Sequence, residues 1–286
     1  MEGFDFQSPK SLTDAFRAIA GEPSACKLLA GGTNVVPSLR EGSLKPSLVV
    51  DLGGIEELKY IREEQGWIQI GAMITINEIL SSSLIKEKGG LLWEATRTFG
   101  GALVRNRATV GGNLADASPA ADTAPPLLAL GAQVTLQSSE GQRTLPLSDF
   151  FSGYRQTVIK PGEILTKVSF KTLSGESRYA YCKLGRRSAM AISVVSVAIL
   201  FQIEGDICKE AAIALGAVDP TPIRALKAED LIKGKKINSS LADECGKIVA
   251  GSVNPVDDIR ASAGYRRTLT HVLVSRLICQ SLDIEN

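Results

Sequence analysis

The chain has 286 residues, enough for one or two domains with a sizeable core, and its 44% hydrophobic and 22% charged residues are ordinary for a globular protein. The formal net charge is only +1, which argues against a nucleic acid or an anionic membrane as the main partner. No apolar stretch reaches the roughly 20 residues of a membrane span, and the N-terminal sequence lacks a signal-peptide pattern. We therefore expect a cytoplasmic protein.

The first 55 residues have the pattern of a strand, a helix and a second strand. Apolar residues at helical spacing predict a helix over residues 11–20, after the pair Ser8-Pro9. Short apolar runs predict strands at residues 27–30 and 48–50. The first of these runs stops abruptly at two glycines, which indicates a tight turn directly after the strand.

Residues 56–175 contain more strand signals than the segment before them. Two of the predicted strands flank Glu140-Gly141 and predict a hairpin. The pair Pro125-Pro126 is compatible with a helix because prolines are tolerated in a first helical turn. The predicted strands are residues 67–70, 133–136, 143–147 and 164–170, and the predicted helices are residues 91–99 and 121–130.

Residues 176–286 change from strand signals to helical ones, which indicates a separate α+β domain. The predicted elements are a hairpin of residues 192–203 and 207–215, then helices at residues 225–232, 242–250 and 265–282. The domain prediction is residues 1–175, with lobes of about 1–55 and 56–175, followed by residues 176–286.

The cysteines and the single histidine limit the chemistry that the chain can perform alone. The five cysteines are scattered and odd in number and form no C-x-x-C pair, so we expect reduced thiols and no metal ligands. His271, the only histidine, lies in a stretch with helical spacing of apolar residues. A Ser–His–Asp or Cys–His triad could use only this residue, so we assign no catalytic residue.

The first segment that suggests a ligand is Lys27-Leu28-Leu29-Ala30-Gly31-Gly32-Thr33-Asn34. Glycine reaches positive φ and has no Cβ, so a ligand can approach the backbone closely after this strand. Successive N–H groups in such a turn form an anion-binding nest, and Thr33 and Asn34 add side-chain donors. A diphosphate fits this chemistry, although a lone Gly-Gly pair is more often a tight turn without a ligand.

A second glycine pair occurs in Thr109-Val110-Gly111-Gly112-Asn113, after Val104-Arg105-Asn106-Arg107. Small polar donors again flank the glycines, and we interpret the segment as a second glycine turn. Neither segment matches G-x-G-x-x-G or G-x-x-x-x-G-K-[ST], which disfavours a standard Rossmann site and a P-loop. From the residues alone, a phosphate-bearing ligand and a purely structural role are equally good interpretations of the two turns together.

The runs LLAGGTNVVPSLREG and TVGGNLADASPAADTAPPLLALGAQV, and the spacing between them, resemble the FAD-binding subunit of the molybdenum hydroxylases, the xanthine and carbon monoxide dehydrogenase type. Residues 257–266 are similar to the C-terminal domain of that family, so the resemblance covers nearly the whole chain. It implies an α+β fold, with a two-lobed FAD-binding domain of the vanillyl-alcohol-oxidase type before a smaller α+β domain. It also implies that residues 27–34 and 109–113 cradle the FAD diphosphate and its neighbouring groups.

Four further positions match FAD-contacting positions of the family, and each has a structural alternative. Phe99 matches an aromatic residue near the flavin, but it suits the core of the predicted helix equally well. Asp122 matches an acid that contacts FAD, and it also suits the capping of the next helix. Leu165 and Lys183 match contacting positions, whereas the sequence alone favours a buried strand residue and a solvated lysine.

The resemblance implies that the organic substrate is oxidised on another chain. In the family a large subunit carries the molybdenum cofactor and a small subunit carries two [2Fe–2S] clusters, and a dimer of such heterotrimers is expected. This chain would hold FAD non-covalently and pass electrons to NAD, quinone or oxygen. Two alternatives stay open, namely an FAD subunit of an oxidoreductase without molybdenum and a flavin-free assembly module.

Overall fold

The computed structural model describes residues 3–21 and 24–284, so the outermost residues of the two predicted domains lie outside the described part. The first lobe is a parallel three-stranded sheet in the order β1-β3-β2. Its elements are β1 (Asp5–Gln7), α1 (Leu12–Ala20), β2 (Cys26–Leu29), α2 (Val35–Glu41) and β3 (Leu48–Asp51).

Helix α1 begins where the sequence predicts, because Ser11 caps it by accepting a hydrogen bond from the Asp14 backbone N–H. Its apolar stripe packs on Val50 of the central strand and includes Phe16 and Ile19. The apolar runs at residues 27–30 and 48–50 form β2 and β3, as predicted. The first lobe therefore follows the periodicity of its sequence closely.

The second lobe is an antiparallel five-stranded sheet in the order β4-β5-β10-β6-β7, with short helices between its strands. Its sheet strands are β4 (Ile61–Glu64), β5 (Trp67–Gly71), β6 (Gln133–Ser138), β7 (Gly141–Pro146) and β10 (Ile164–Lys171), and a small ribbon is formed by β8 (Phe151–Gly153) and β9 (Gln156–Thr157). Its helices are α3 (Ile76–Ser81), α4 (Ser83–Lys88), α5 (Gly90–Arg97), α6 (Ala102–Arg105), α7 (Val110–Ala115) and α8 (Ala124–Ala129).

The core of this lobe lies between the sheet and the short helices. Val168 and Phe170 of the central strand β10 are fully buried in it. Ile164, at the start of the same strand, instead packs with the core of the first lobe. Strand β10 thus contributes to both cores and joins the two lobes.

The C-terminal region is an antiparallel sheet in the order β11-β12-β13-β14, followed by three helices. Its elements are β11 (Ser177–Leu184), β12 (Val195–Glu204), β13 (Ile207–Gly216), β14 (Ile223–Arg224), α9 (Leu226–Ile232), α10 (Ser239–Ser252) and α11 (Ala263–Ser281). Along β12, Val197 and Ile199 share a core with the helices, whereas Ala198 and Leu200 pack with the second lobe. Successive side chains of a strand point to opposite faces of the sheet. Both faces of β12 are apolar because each face packs into one of these two cores.

The predicted mixed fold of sheets and helices is confirmed, with strands before helices in the C-terminal region, and the predicted elements differ from the observed ones mainly at their ends. The helix predicted at residues 121–130 begins only at Ala124, because side-chain hydrogen bonds hold Asp122 and Thr123 outside it. The helix predicted at 91–99 ends at Arg97, and the strand predicted from residue 192 begins at Val195. Several elements were not predicted at all, namely the strands β4, β8, β9, β11 and β14 and the short helices α2, α3, α4, α6 and α7.

Candidate functional site

The turn after β2 presents backbone donors without acceptors. Gly32 has φ +77°, a left-handed conformation that favours glycine. In the described part of the chain, the backbone N–H groups of residues 31–34 donate no hydrogen bond. The side chains of Thr33 and Asn34 have no hydrogen-bond partner there either, and Asn34 is exposed. Consecutive free N–H groups of this kind are suited to bind an anion.

Gly31 has a different role from Gly32, because its close neighbour is protein. A Cβ at Gly31 would lie 1.8 Å from the carbonyl oxygen of Arg107, which no side chain could tolerate. On the other side of the contact, a Cβ at Gly112 would lie 3.4 Å from the Cβ of Ala30. The missing side chain of Gly31 therefore lets the two glycine segments, far apart in sequence, lie against each other.

The second glycine pair is not a turn, which corrects the prediction. Gly111 and Gly112 lie in the first turn of α7, whose N-cap is Thr109, with its side chain accepting from the Gly112 N–H at 3.0 Å. The Gly111 N–H donates to the carbonyl of Ala72, and a Cβ at Gly111 would lie 2.6 Å from the Ala72 Cβ. The backbone N–H groups of residues 110–113 already donate to other protein groups. The segment therefore packs closely but offers fewer free N–H groups than residues 31–34.

A buried ion pair joins the second lobe to the C-terminal sheet. Lys183 Nζ of β11 lies 2.5 Å from Asp122 Oδ2 and donates to the Thr98 carbonyl at 3.2 Å. The Ser193 hydroxyl donates to the other Asp122 oxygen at 2.7 Å. Burial raises the pKa of Asp122 above its ordinary value, while Lys183 and Ser193 act to lower it. The ion pair of Asp122 and Lys183 is therefore largely shielded from water.

Asn113 and Phe99 connect this pair to the glycine segments. The Asn113 side-chain oxygen accepts from the hydroxyl of Thr123, the neighbour of Asp122, at 2.6 Å. Phe99 is buried, and it follows the residue whose carbonyl Lys183 binds. The structure thus brings together residues 31–34, residues 109–113, Phe99, Asp122 and Lys183 in one continuous region.

Two further predicted positions, Leu165 and Lys27, lie in strands beside this region. Leu165 is buried in β10 opposite Leu136, as the structural alternative for this residue expects. Lys27 is exposed on β2, and Leu28 and Leu29 continue that strand toward the turn. Leu165 also belongs to the buried core that contains Phe99 and Val110.

Sequence reasoning missed Thr98, Thr123 and Ser193, which hold the site together. Ser193 is 71 residues from the acid it binds, and Thr98 contributes only its backbone carbonyl. Neither contact leaves a local pattern. Thr123 was detectable, since a threonine before Ala-Pro-Pro stands at a helix N-terminus.

The described residues contain no group of three or more His, Cys, Asp or Glu side chains that could hold a metal ion. All five cysteines are unpaired thiols. Among the helices in residues 3–21 and 24–284, none combines the length and the apolar character needed to cross a bilayer.

Two family models match consecutive parts of the chain. Residues 2–170 match the FAD binding domain in molybdopterin dehydrogenase, and residues 179–281 match the CO dehydrogenase flavoprotein C-terminal domain. The glyceraldehyde dehydrogenase medium chain of Sulfolobus acidocaldarius is 33% identical over 273 residues, 96% of each chain. The xanthine dehydrogenase FAD-binding subunit of Escherichia coli O157:H7 is 30% identical and covers 98% of this chain and 97% of its own.

Solved structures show the same similarity in three dimensions. Carbon monoxide dehydrogenase from Hydrogenophaga pseudoflava, in a form that lacks the Mo-pyranopterin moiety of the molybdenum cofactor, superimposes with a TM-score of 0.95 at 29% identity, covering 98% of this chain and 97% of that one. Quinoline 2-oxidoreductase from Pseudomonas putida 86 gives 0.92 at 29% identity, covering 98% and 96%.

The fold and the matched models define a flavoprotein subunit of an oxidoreductase. The chain belongs to the FAD-binding subunits of the molybdenum hydroxylases, the family that the sequence runs resemble. Free backbone donors at residues 31–34 and close packing of two glycine segments fit a dinucleotide with a diphosphate.

Proposed function

We propose that this chain holds one FAD non-covalently and passes electrons between iron–sulfur clusters on a partner subunit and an acceptor such as NAD, quinone or oxygen. The flavin, when bound, supplies the redox chemistry, since it can take up electrons singly and release them in pairs. The observation that carries the proposal is the row of free N–H groups at residues 31–34, packed against the second glycine segment.

The residues proposed to bind FAD surround these two segments and the buried ion pair. The free N–H groups of residues 31–34 would donate to the diphosphate, and α7 would provide a rigid wall. Asp122 and Lys183 offer polar atoms at the other end of the region. The full proposed set is Lys27, Leu28, Leu29, Ala30, Gly31, Gly32, Thr33, Asn34, Phe99, Thr109, Val110, Gly111, Gly112, Asn113, Asp122, Leu165 and Lys183.

The protein contributes position and electrostatics, and no side chain needs to act as a general acid or base. The buried Asp122–Lys183 pair fixes strand β11 against the loop before α8, which holds both sides of the site in register. We propose that residues 1–175, in two lobes, form the FAD-binding domain and that residues 176–286 form the second domain.

The relatives support a place in a larger assembly. Several are named as medium chains, and one as a subunit of a dehydrogenase complex. We propose that this chain assembles with a large subunit that carries the molybdenum cofactor and a small [2Fe–2S] subunit, as a dimer of heterotrimers in the cytoplasm. The organic substrate is then oxidised on the large subunit.

Purification of the native complex, followed by acid precipitation and metal analysis, tests this function. We expect one FAD per copy of this chain in the acid supernatant, together with molybdenum and iron in the complex. Flavin that stays with the precipitate would contradict non-covalent binding. A flavoprotein complex without molybdenum would favour the other kind of FAD subunit, and a colourless complex would favour an assembly module.

A further inference from the structure

We propose that Arg107 supplies the positive charge that neutralises the diphosphate of the bound FAD. This inference rests on the proposed function and adds a residue outside the set given for it. A diphosphate carries full negative charge, whereas the N–H groups of residues 31–34 offer only partial positive charges. A guanidinium is the side chain best suited to such a group, because it binds phosphate oxygens through two parallel hydrogen bonds.

Arg107 lies in direct contact with the turn that presents the free donors. Its carbonyl oxygen is the atom that a Cβ at Gly31 would strike at 1.8 Å. The backbone of Arg107 is therefore packed on the turn, and its long side chain starts beside residues 31–34. The residue is exposed, and in the described part of the chain its guanidinium has no hydrogen bond or ion pair. It is free to bind a ligand.

The other cations near the site are engaged or distant. Arg105 donates to the carbonyls of Phe99 and Gly100, and Lys183 is paired with Asp122. Lys27 precedes Gly31 by four residues along a strand and its turn, which is roughly 13 Å of extended chain. Among the described residues, Arg107 is thus a free cation that touches the turn.

Neither glycine segment carries an acidic residue of its own. The sequences AGGTNVV at residues 30–36 and VRNRATVGGN at residues 104–113 contain no acidic residue. A guanidinium without an anionic partner beside free N–H groups favours binding of an anion at that place. The consequence is specific: Arg107 should contribute to the affinity for phosphate-bearing flavin and not to the affinity for the flavin ring.

The test compares FAD and riboflavin binding to the full chain, freed of flavin, in three forms: wild type, Arg107→Gln and Arg107→Lys. Loss of a charge-assisted hydrogen bond should weaken FAD binding by about tenfold in Arg107→Gln, with partial recovery in Arg107→Lys. Riboflavin, which has no phosphate, should bind all three forms alike. The decline of FAD affinity with added salt should be shallower in Arg107→Gln than in the wild type.

Arg276→Gln is the matched control, because Arg276 is an exposed arginine on α11 of the C-terminal region. Its FAD affinity should equal that of the wild type. An FAD affinity of Arg107→Gln within twofold of the wild type would overturn the inference, as would an equal loss of FAD and riboflavin binding. A wild-type chain that binds no FAD, from a complex without flavin, would instead refute the proposed function itself.

Discussion

Two adjacent glycines after β2 are required for different physical reasons. Gly31 is needed because the backbone of Arg107 occupies the place of a Cβ, whereas Gly32 is needed because its φ is +77°. A Cβ at Gly32 would meet only side-chain atoms, the nearest being Val36 Cγ2 at 3.2 Å. A substitution at Gly32 therefore changes mainly the backbone conformation that directs the free N–H groups.

We predict that Gly32→Ala weakens FAD binding by about tenfold, the equivalent of one lost hydrogen bond to a charged group. The left-handed conformation should also cost about 1–2 kcal/mol of stability. Isothermal titration with FAD and urea denaturation of the flavin-free chain measure the two effects.

Gly66→Ala is the control for backbone strain, because Gly66 has φ +78° and a Cβ there would meet no atom within 4 Å. Its loss of stability should be similar, and its FAD affinity should not change, since it lies in the hairpin turn between β4 and β5. Equal loss of FAD affinity in both variants would show that strain alone, and not the free N–H groups, explains the effect.

At the scale of elements, the site depends on how closely α7 lies against β5 and the turn that follows it. The helix begins with a hydrogen bond from the Gly111 N–H to the Ala72 carbonyl, and its second residue has no room for a side chain. The short helix has little stability of its own, so its packing holds it in place.

We predict that Gly111→Ala lowers the free energy of unfolding by about 1–3 kcal/mol, because the added methyl group overpacks the contact with Ala72. Gly251→Ala, in helix α10 where a Cβ would meet no atom within 4 Å, should raise it by roughly 0.5–1 kcal/mol. Urea denaturation of the flavin-free chain measures both. A Gly111→Ala variant as stable as the wild type would show that α7 moves to admit the methyl group.

At the scale of the whole molecule, the buried pair of Asp122 and Lys183 joins regions that the two family models match separately. The Ala217 N–H also donates to the Pro119 carbonyl at 2.7 Å, so the loop before α8 is fastened to the C-terminal sheet by backbone and side chains. A displacement of the C-terminal sheet would therefore also displace Asp122 and the loop before α8 at the proposed FAD site.

We predict that Asp122→Asn and Lys183→Met each destabilise the chain by about 3–5 kcal/mol, because each leaves a buried group without its ionic partner. The double variant should be less destabilised than the sum of the two, since no unpaired charge is left. Urea denaturation of all four forms gives the coupling energy. Strict additivity would contradict the view that the two side chains act as a unit.

The pair of Lys236 and Asp206 is a control with the same chemistry on the surface, where both side chains are about 70% exposed. Solvent screening should leave it without measurable coupling in the same double-variant cycle. Strong coupling there as well would mean that burial is not what distinguishes the Asp122–Lys183 pair.

Local patterns predicted most of the elements, because periodicity depends only on which face of a strand or helix is buried. The hairpin around Glu140-Gly141 and helix α1 have the predicted type and nearly the predicted ends. Strand β4 was missed because charged residues dominate this edge strand, and α7 was missed because two glycines are unfavourable in a helix. Packing on Ala72 outweighs that cost.

The sequence by itself determined the two glycine segments, the polar donors that follow them and the family to which the chain belongs. Only the tertiary structure decided which glycines have no room for a side chain, since a Cβ at Gly31 would meet the carbonyl of Arg107. It also paired Asp122 with Lys183, which lies 61 residues away. The physical reason is that conformation and periodicity are local properties, whereas close approach and charge pairing depend on how distant segments pack.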